Sequence, residues 1–346
     1  MKYNEAINKA QSQLLEDDPN VIILGLGVPG PTGIFGTTSG LQEKFGSERV
    51  IDTPSSENAM TGIAIGAATS GKRVIMVHMR VDFALLSIEP LVNQAAKWSY
   101  MYGGHIRAPI VIRLIIGRGW GQGPQHSQAL HSWFAHVPGL KVVAPSTPSD
   151  AAGMLISAVQ DDAPVLIFEH RWLYNIEQTV SDKLLPVSLN GAKVVREGSD
   201  ITLVAVSYMV IECIKAAEQL HKLGVSAEVI DIRNVSCIDI ETIRISVEKT
   251  KRLIVCDIGH KNCSVASEVL ARIFRTHYNK LESAPKIIAL PDAPTPTTPA
   301  LADHYYPDAH QIVVEVGRQL QLSKIPSDVS NRAWKDTPNN FYFGPY

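Results

Sequence analysis

What the chain lacks narrows its function first. Its four cysteines (Cys213, Cys237, Cys256, Cys263) form no C-x-x-C pair, so neither a zinc site nor a dithiol redox motif is spelled out. They are expected to be buried or inert thiols. No apolar run approaches the roughly 18 residues that span a bilayer. The longest runs, such as 21–24 and 142–145, read as buried strands. The opening Met1-Lys2-Tyr3-Asn4-Glu5 lacks the apolar core of a signal peptide, which makes the cytoplasm the expected location. Net charge is −2 and no basic run is present to track a phosphate backbone, so neither nucleic acid nor membrane is an expected partner.

What is present is globular. An apolar fraction of 45% over 346 residues suffices for two domains of ordinary size. The first half alternates helix and strand signals: helix over 3–15, strand 21–24, short helix 41–45, strand 50–52, helix 58–70, strand 74–77, helix 88–100, strands 110–113 and 141–144. A helix over 149–160 with Ser149 as its N-cap and a strand at 165–169 follow. Continuous apolar strands between helices predict a parallel sheet covered on both faces. The polar stretch 174–189 reads as an interdomain linker. A second α/β unit follows, with strands at 201–206, 227–232, 252–257 and 286–290 and helices at 210–223, 239–247 and 265–275. The proline-rich 291–299 then leaves the sheet.

Three clusters carry chemistry. Asp52-Thr53-Pro54-Ser55-Ser56-Glu57 joins a strand end to the start of a helix rich in small residues, the place where ligands bind in open parallel sheets. Glu57 there is either a ligand contact or a helix-capping charge. Gly117-Arg118-Gly119-Trp120-Gly121-Gln122-Gly123-Pro124-Gln125-His126-Ser127-Gln128 is a glycine-rich loop whose His126 is a candidate acid, base or donor; a solvated histidine is the alternative. It precedes no helix and lacks Lys-Ser/Thr, so it is neither a P-loop nor a dinucleotide fingerprint. His78-Met79-Arg80-Val81-Asp82-Phe83 sets charge beside an aromatic at a strand end, which suits a polar ligand with a flat ring; a surface turn with Phe83 in the core is the alternative.

From about Lys2 to Val316 the sequence resembles the β subunits of the 2-oxo-acid dehydrogenase E1 components for pyruvate, branched-chain substrates and acetoin, in the transketolase superfamily. The resemblance rests on Asp52-Thr53-Pro54 with Ser56-Glu57, Asn93 to Lys97, Gly103-Gly104, Gln125-His126-Ser127-Gln128 and Pro138 to Val143. In the second half Gly191-Ala192-Lys193, Glu228 to Arg233 and Pro291 to Pro296 match too. It implies a pyrimidine-binding domain over 1–178, a linker over 179–190, a transketolase C-terminal-type domain over 191–322 and an extension over 323–346. It implies thiamine diphosphate as cofactor, with Glu57 bonded to a ring nitrogen of the aminopyrimidine, Phe83 stacked on that ring and His126 on the substrate. The resemblance also implies an α-type partner that holds Mg²⁺ and the diphosphate in an α2β2 heterotetramer with a β–β contact, which agrees with the lack of a convincing G-D-G…N motif in this sequence. A lipoyl-bearing E2 would be a further partner. Ile110, Ala158, Asp161 and Ala163 fall near a K⁺ loop of some members.

Departures from the pattern are specific. Gly25-Leu26-Gly27-Val28 lacks the family's acidic pair after the first strand, Arg80 stands where small or uncharged residues are usual, and His260 to Cys263 replaces a glycine-rich stretch. Arg80 is therefore a candidate substrate contact, in competition with a loop-supporting role. The expected activity is decarboxylation of a 2-oxo acid with transfer of the acyl or acyloin fragment. Alternatives are a split transketolase-like or acyloin-forming enzyme and a non-catalytic scaffold subunit.

Overall fold

The computed structural model describes residues 1–117 and 121–323. The aromatic-rich end predicted as an extension lies, beyond Ser323, outside the described residues, as do Arg118, Gly119 and Trp120 of the glycine-rich loop. The order in the first half is α1 (Tyr3–Asp17), β1 (Val21–Gly25), α2 (Leu41–Phe45), β2 (Val50–Asp52), α3 (Glu57–Thr69), β3 (Arg73–His78), α4 (Val81–Ala84), α5 (Ala96–Met101), β4 (Ile110–Ile116), α6 (His131–Ala135), β5 (Lys141–Val143), α7 (Pro148–Gln160) and β6 (Val165–His170). The six strands are parallel, in the order β2-β1-β3-β4-β6-β5. Every residue of β4 and of β6 is buried, as continuous apolar strands covered on both faces require.

The second half comprises β7 (Lys193–Arg196), β8 (Ile201–Ala205), α8 (Met209–His221), β9 (Ala227–Asp231), α9 (Ile240–Thr250), β10 (Leu253–His260), α10 (Val265–His277), β11 (Lys286–Leu290), α11 (Pro299–Tyr305) and α12 (Ala309–Gln319). Its sheet runs β11-β10-β8-β9-β7, parallel except for the antiparallel edge strand β7. Among the described residues no helix is long and apolar enough to cross a membrane.

Three expectations need correction. The cap of α7 is Thr147, whose side chain accepts from the Asp150 N–H, and Ser149 lies inside the helix behind Pro148. Proline at the first helical position sacrifices no hydrogen bond, which moves the start two residues upstream. The helix read over 88–100 is broken: Pro90–Ala95 is a π-helical turn, and α5 starts only at Ala96. Pro90 has no N–H to continue the ladder and sits where its absence costs least, at the first position of that turn. Tyr174, assigned to the linker, is core. It stacks on Tyr3 at 5.8 Å and its hydroxyl donates to Glu169 at 2.7 Å.

A buried ionic group ties the first domain together. Arg113 on β4 forks onto both oxygens of Glu169 on β6 (2.5 and 2.8 Å) and donates to Gln11 of α1 (3.0 Å). The geometry is bidentate and its remaining polar atoms are engaged, which is the condition under which a buried pair offsets its desolvation. Between the two halves, the Ser146 hydroxyl donates to Asp231 (2.5 Å) and Arg233 reaches Asp150 (3.4 Å); Arg233 also donates to the Gly191 carbonyl (2.9 Å) at the start of its own domain. Burial pushes the Asp231 carboxyl up to about 7, against the Ser146 hydroxyl and the Arg233 N–H that favour its charge.

Candidate active site

The site begins where β1, β2 and β3 end. Asp52, the last residue of β2, accepts from the Gly27 N–H (2.8 Å) and from its neighbour Thr53 (3.0 Å), so one carboxylate fixes the turns after two strands. The chain then passes Pro54 and enters α3 with Glu57 as the first helical residue. Glu57, Thr53, Leu26, Met76, His78 and Phe83 line one cavity at this edge. The strand ends thereby bring together the first and third sequence clusters, 52–57 and 78–83.

In the described part of the glycine-rich loop, residues 121–128 meet the 80–83 segment. His126 packs edge-on against Phe83, ring centroids 5.5 Å apart at 79°. Three residues of the 80–83 segment hold this loop. Arg80 donates to the Gly117 carbonyl (2.6 Å) and to the Gln122 side chain; Asp82 accepts from Gln128 (2.7 Å); Phe83 meets His126. Arg80 is buried, and its guanidinium also lies 5.7 Å from the Phe35 ring. Burial raises the Asp82 carboxyl above its ordinary range, although the Gln128 amide and nearby Arg80 oppose that shift.

Two glycines in the loop have no substitute. Gly117 has φ +84°, and a Cβ there would stand 2.5 Å from the His170 ring. Gly123 has φ +75°, and a Cβ would stand 2.8 Å from Thr297 of the second domain. Backbone this close to its neighbours in left-handed geometry admits glycine alone.

Several groups around the site have no role of their own in the sequence expectations. His78 is buried with its Nε2 unpartnered, and burial lowers its pKa to about 4. His170, under Gly117, is lowered to about 3 by burial and by the charges of Arg80 and His131. His131 of α6 meets Asp257 of β10 at 2.9 Å, both fully buried. Burial works to raise Asp257, but the His131 contact and the Gly259 and Ala266 amides hold it below the usual carboxylate range. The pair bridges the two domains just downstream of His126.

The residues of the proposed cation loop sit elsewhere. Ile110 opens β4, and Ala158, Asp161 and Ala163 precede β6, at the starts of the strands and so at the opposite end of the sheet from the strand ends beside Glu57. The Asp161 carbonyl accepts from Arg73 (2.8 Å), and its carboxylate accepts from Lys141 and from the Ala163 N–H (2.9 Å).

Comparison with known proteins agrees with this architecture. Residues 1–177 match the family model "Transketolase, pyrimidine binding domain" and residues 190–312 match "Transketolase, C-terminal domain". The β subunit of acetoin:2,6-dichlorophenolindophenol oxidoreductase from Cupriavidus necator is 39% identical over 329 residues, 92% of this chain and 97% of that one. The Bacillus subtilis protein of the same name is 38% identical over 90% and 95% of the two chains. The mitochondrial pyruvate dehydrogenase E1 component subunit β-1 of Arabidopsis thaliana is 38% identical over 94% and 90%. A solved structure titled "Split gene transketolase, inactive beta4 tetramer" covers 94% of this chain and 100% of its own at a TM-score of 0.76; at 21% identity it speaks for the fold alone. The chain belongs to the transketolase-type family that includes the β subunits of acetoin oxidoreductases and pyruvate dehydrogenase E1 components.

Proposed function

We propose that this chain is the β-type subunit of an α2β2 thiamine-diphosphate enzyme that cleaves a 2-oxo acid, or a related acyloin, and passes the acyl fragment to an acceptor. The observation that carries the reading is the shared cavity of Glu57 and Phe83 with His126 packed on its rim. That set fits the aminopyrimidine half of the cofactor: a carboxyl group for a ring nitrogen, an aromatic face for stacking, and a buried ring nitrogen on His78 that lacks a partner. When bound, the cofactor supplies the electron sink for carbon–carbon bond cleavage.

The chain's own residues do the rest. Glu57 holds a proton at the pyrimidine nitrogen. Phe83 fixes the ring plane. His126 donates to the substrate from its place beside Phe83. Arg80 acts on the substrate through the glycine-rich loop, since its guanidinium is engaged by Gly117 and Gln122. Mg²⁺ and the diphosphate we assign to the α-type partner. Exposed apolar side chains on and beside α3 and α5 (Ile63, Leu86, Tyr100, Met101) favour a covering subunit there. Any K⁺ held at the Asp161 loop shares its acceptors with Arg73 and Lys141, and we assign it no step. An E2 partner enters only as an acyl acceptor.

The test is dye reduction by the reconstituted α/β pair with pyruvate, branched-chain 2-oxo acids and acetoin, with and without aldehyde acceptors. Turnover is expected only with both chains, thiamine diphosphate and Mg²⁺. Micromolar or tighter cofactor binding by this chain alone would contradict the division of labour.

A further inference from the structure

The cavity that holds Glu57 contains a buried ring nitrogen whose partner the proposed function does not name. His78 is the last residue of β3, and its side chain lines the same cavity as Glu57 and Phe83. It is 4% exposed, and its Nε2 is buried without a hydrogen-bond partner. A buried ring nitrogen left unsatisfied costs about 1–3 kcal/mol, so a native fold that keeps one usually has a partner for it that the chain does not contain. Carboxylates and ammonium groups are poor candidates for that partner. The ring is held neutral by burial, and the flanking Met76, Val77 and Phe83 offer little compensation for a second charge beside Glu57. A flat heteroaromatic ring with an alternating donor and acceptor edge suits it better. A neutral imidazole has one donor and one acceptor nitrogen and can meet such an edge in either tautomer.

We propose that His78 is a cofactor-binding residue, its Nε2 hydrogen-bonded to the polar edge of the aminopyrimidine ring beside Glu57. This rests on the reading of the cavity as the pyrimidine site. Together Glu57 and His78 would fix the ring's rotation in its own plane, which stacking on Phe83 leaves free. The contact is neutral, so it contributes to affinity without altering the charge of the site.

The experiment is calorimetric titration of thiamine diphosphate, with Mg²⁺, into the assembled α/β complex. His78→Phe removes the hydrogen bond, and His78→Leu does so with less bulk should the larger ring impair assembly. His78→Gln keeps both a donor and an acceptor. The apolar variants are expected to bind roughly tenfold more weakly and the Gln variant within about threefold of wild type, with melting temperatures of the cofactor-free complexes unchanged or raised. Equal affinity of wild type and the apolar variants overturns the proposal. So does a Gln variant as weak as Leu, which would make His78 a matter of shape. If the wild-type complex shows no saturable binding, the pyrimidine-site reading falls, and His78 with it.

Discussion

Replacing Arg80 with methionine should loosen the loop that carries His126. The guanidinium is buried and donates to the Gly117 carbonyl at 2.6 Å and to Gln122. Hydrogen bonds from a charged donor are worth about 1.5–3 kcal/mol each. At the low end, losing both costs the ordered loop about 3 kcal/mol, or about 100-fold in its population relative to open forms. Arg80→Met keeps an apolar stem of similar length but loses the guanidinium that lies over Phe35 and offers no donor, so the Gly117 carbonyl must turn to water. The expected result is a 10- to 100-fold fall in kcat/KM, with thiamine diphosphate affinity within a few fold of wild type, because Glu57 and Phe83 stay in place. Arg80→Lys should rescue little, since a single ammonium cannot serve both acceptors as a planar fork does. Steady-state kinetics, cofactor titration and melting temperature on the assembled complex decide it. A tenfold or larger rise in KM with unchanged kcat and melting temperature would refute the reasoning and make the guanidinium a direct contact of the substrate.

Two further predictions concern the joint between the domains. Asp231 is raised from 3.8 to about 7 by burial, so the native state binds a proton there that the unfolded chain releases. Its stabilising contribution is present below pH about 3.8 and is lost as pH rises through about 7. Asp231→Asn should therefore gain stability relative to wild type across that window and hold a constant difference above it; denaturant melts showing a pH-independent difference would contradict this. His131→Ala strands Asp257 without its imidazole. Breaking a buried pair costs about 3–5 kcal/mol, and the two amides left on Asp257 place the expected loss near the lower figure. An unchanged melting temperature would show that the pair does not hold the domains together.

Local signals were legible in the sequence and distant ones were not. The buried strands β1, β3, β4 and β6 announce themselves as continuous apolar runs, and Glu57, Phe83 and His126 lie in short motifs whose chemistry is local. The edge strand β7 escapes because Lys193-Val194-Val195-Arg196 is largely exposed and pairs antiparallel with β9, which no periodicity specifies. Helix α12 was legible in principle: Asp308 caps it ahead of buried Ile312, Val313 and Val316. His131 with Asp257 could not be read at all, since the partners are 126 residues apart and each is unremarkable alone. Arg80 shows the difference most clearly. The sequence sets Asp82 two residues away from it, whereas the fold gives it a carbonyl and an amide of the glycine-rich loop.

The central claim is that Glu57 of this chain activates a cofactor held jointly with a partner. The most direct measurement is hydrogen–deuterium exchange at the thiazolium C2 of thiamine diphosphate in the reconstituted complex, wild type against Glu57→Gln. It reads activation without substrate and does not depend on naming one. The amide cannot share a proton with the pyrimidine nitrogen, so exchange should slow by about 10²-fold or more while the tetramer still forms. Exchange at the wild-type rate in Glu57→Gln would contradict the account.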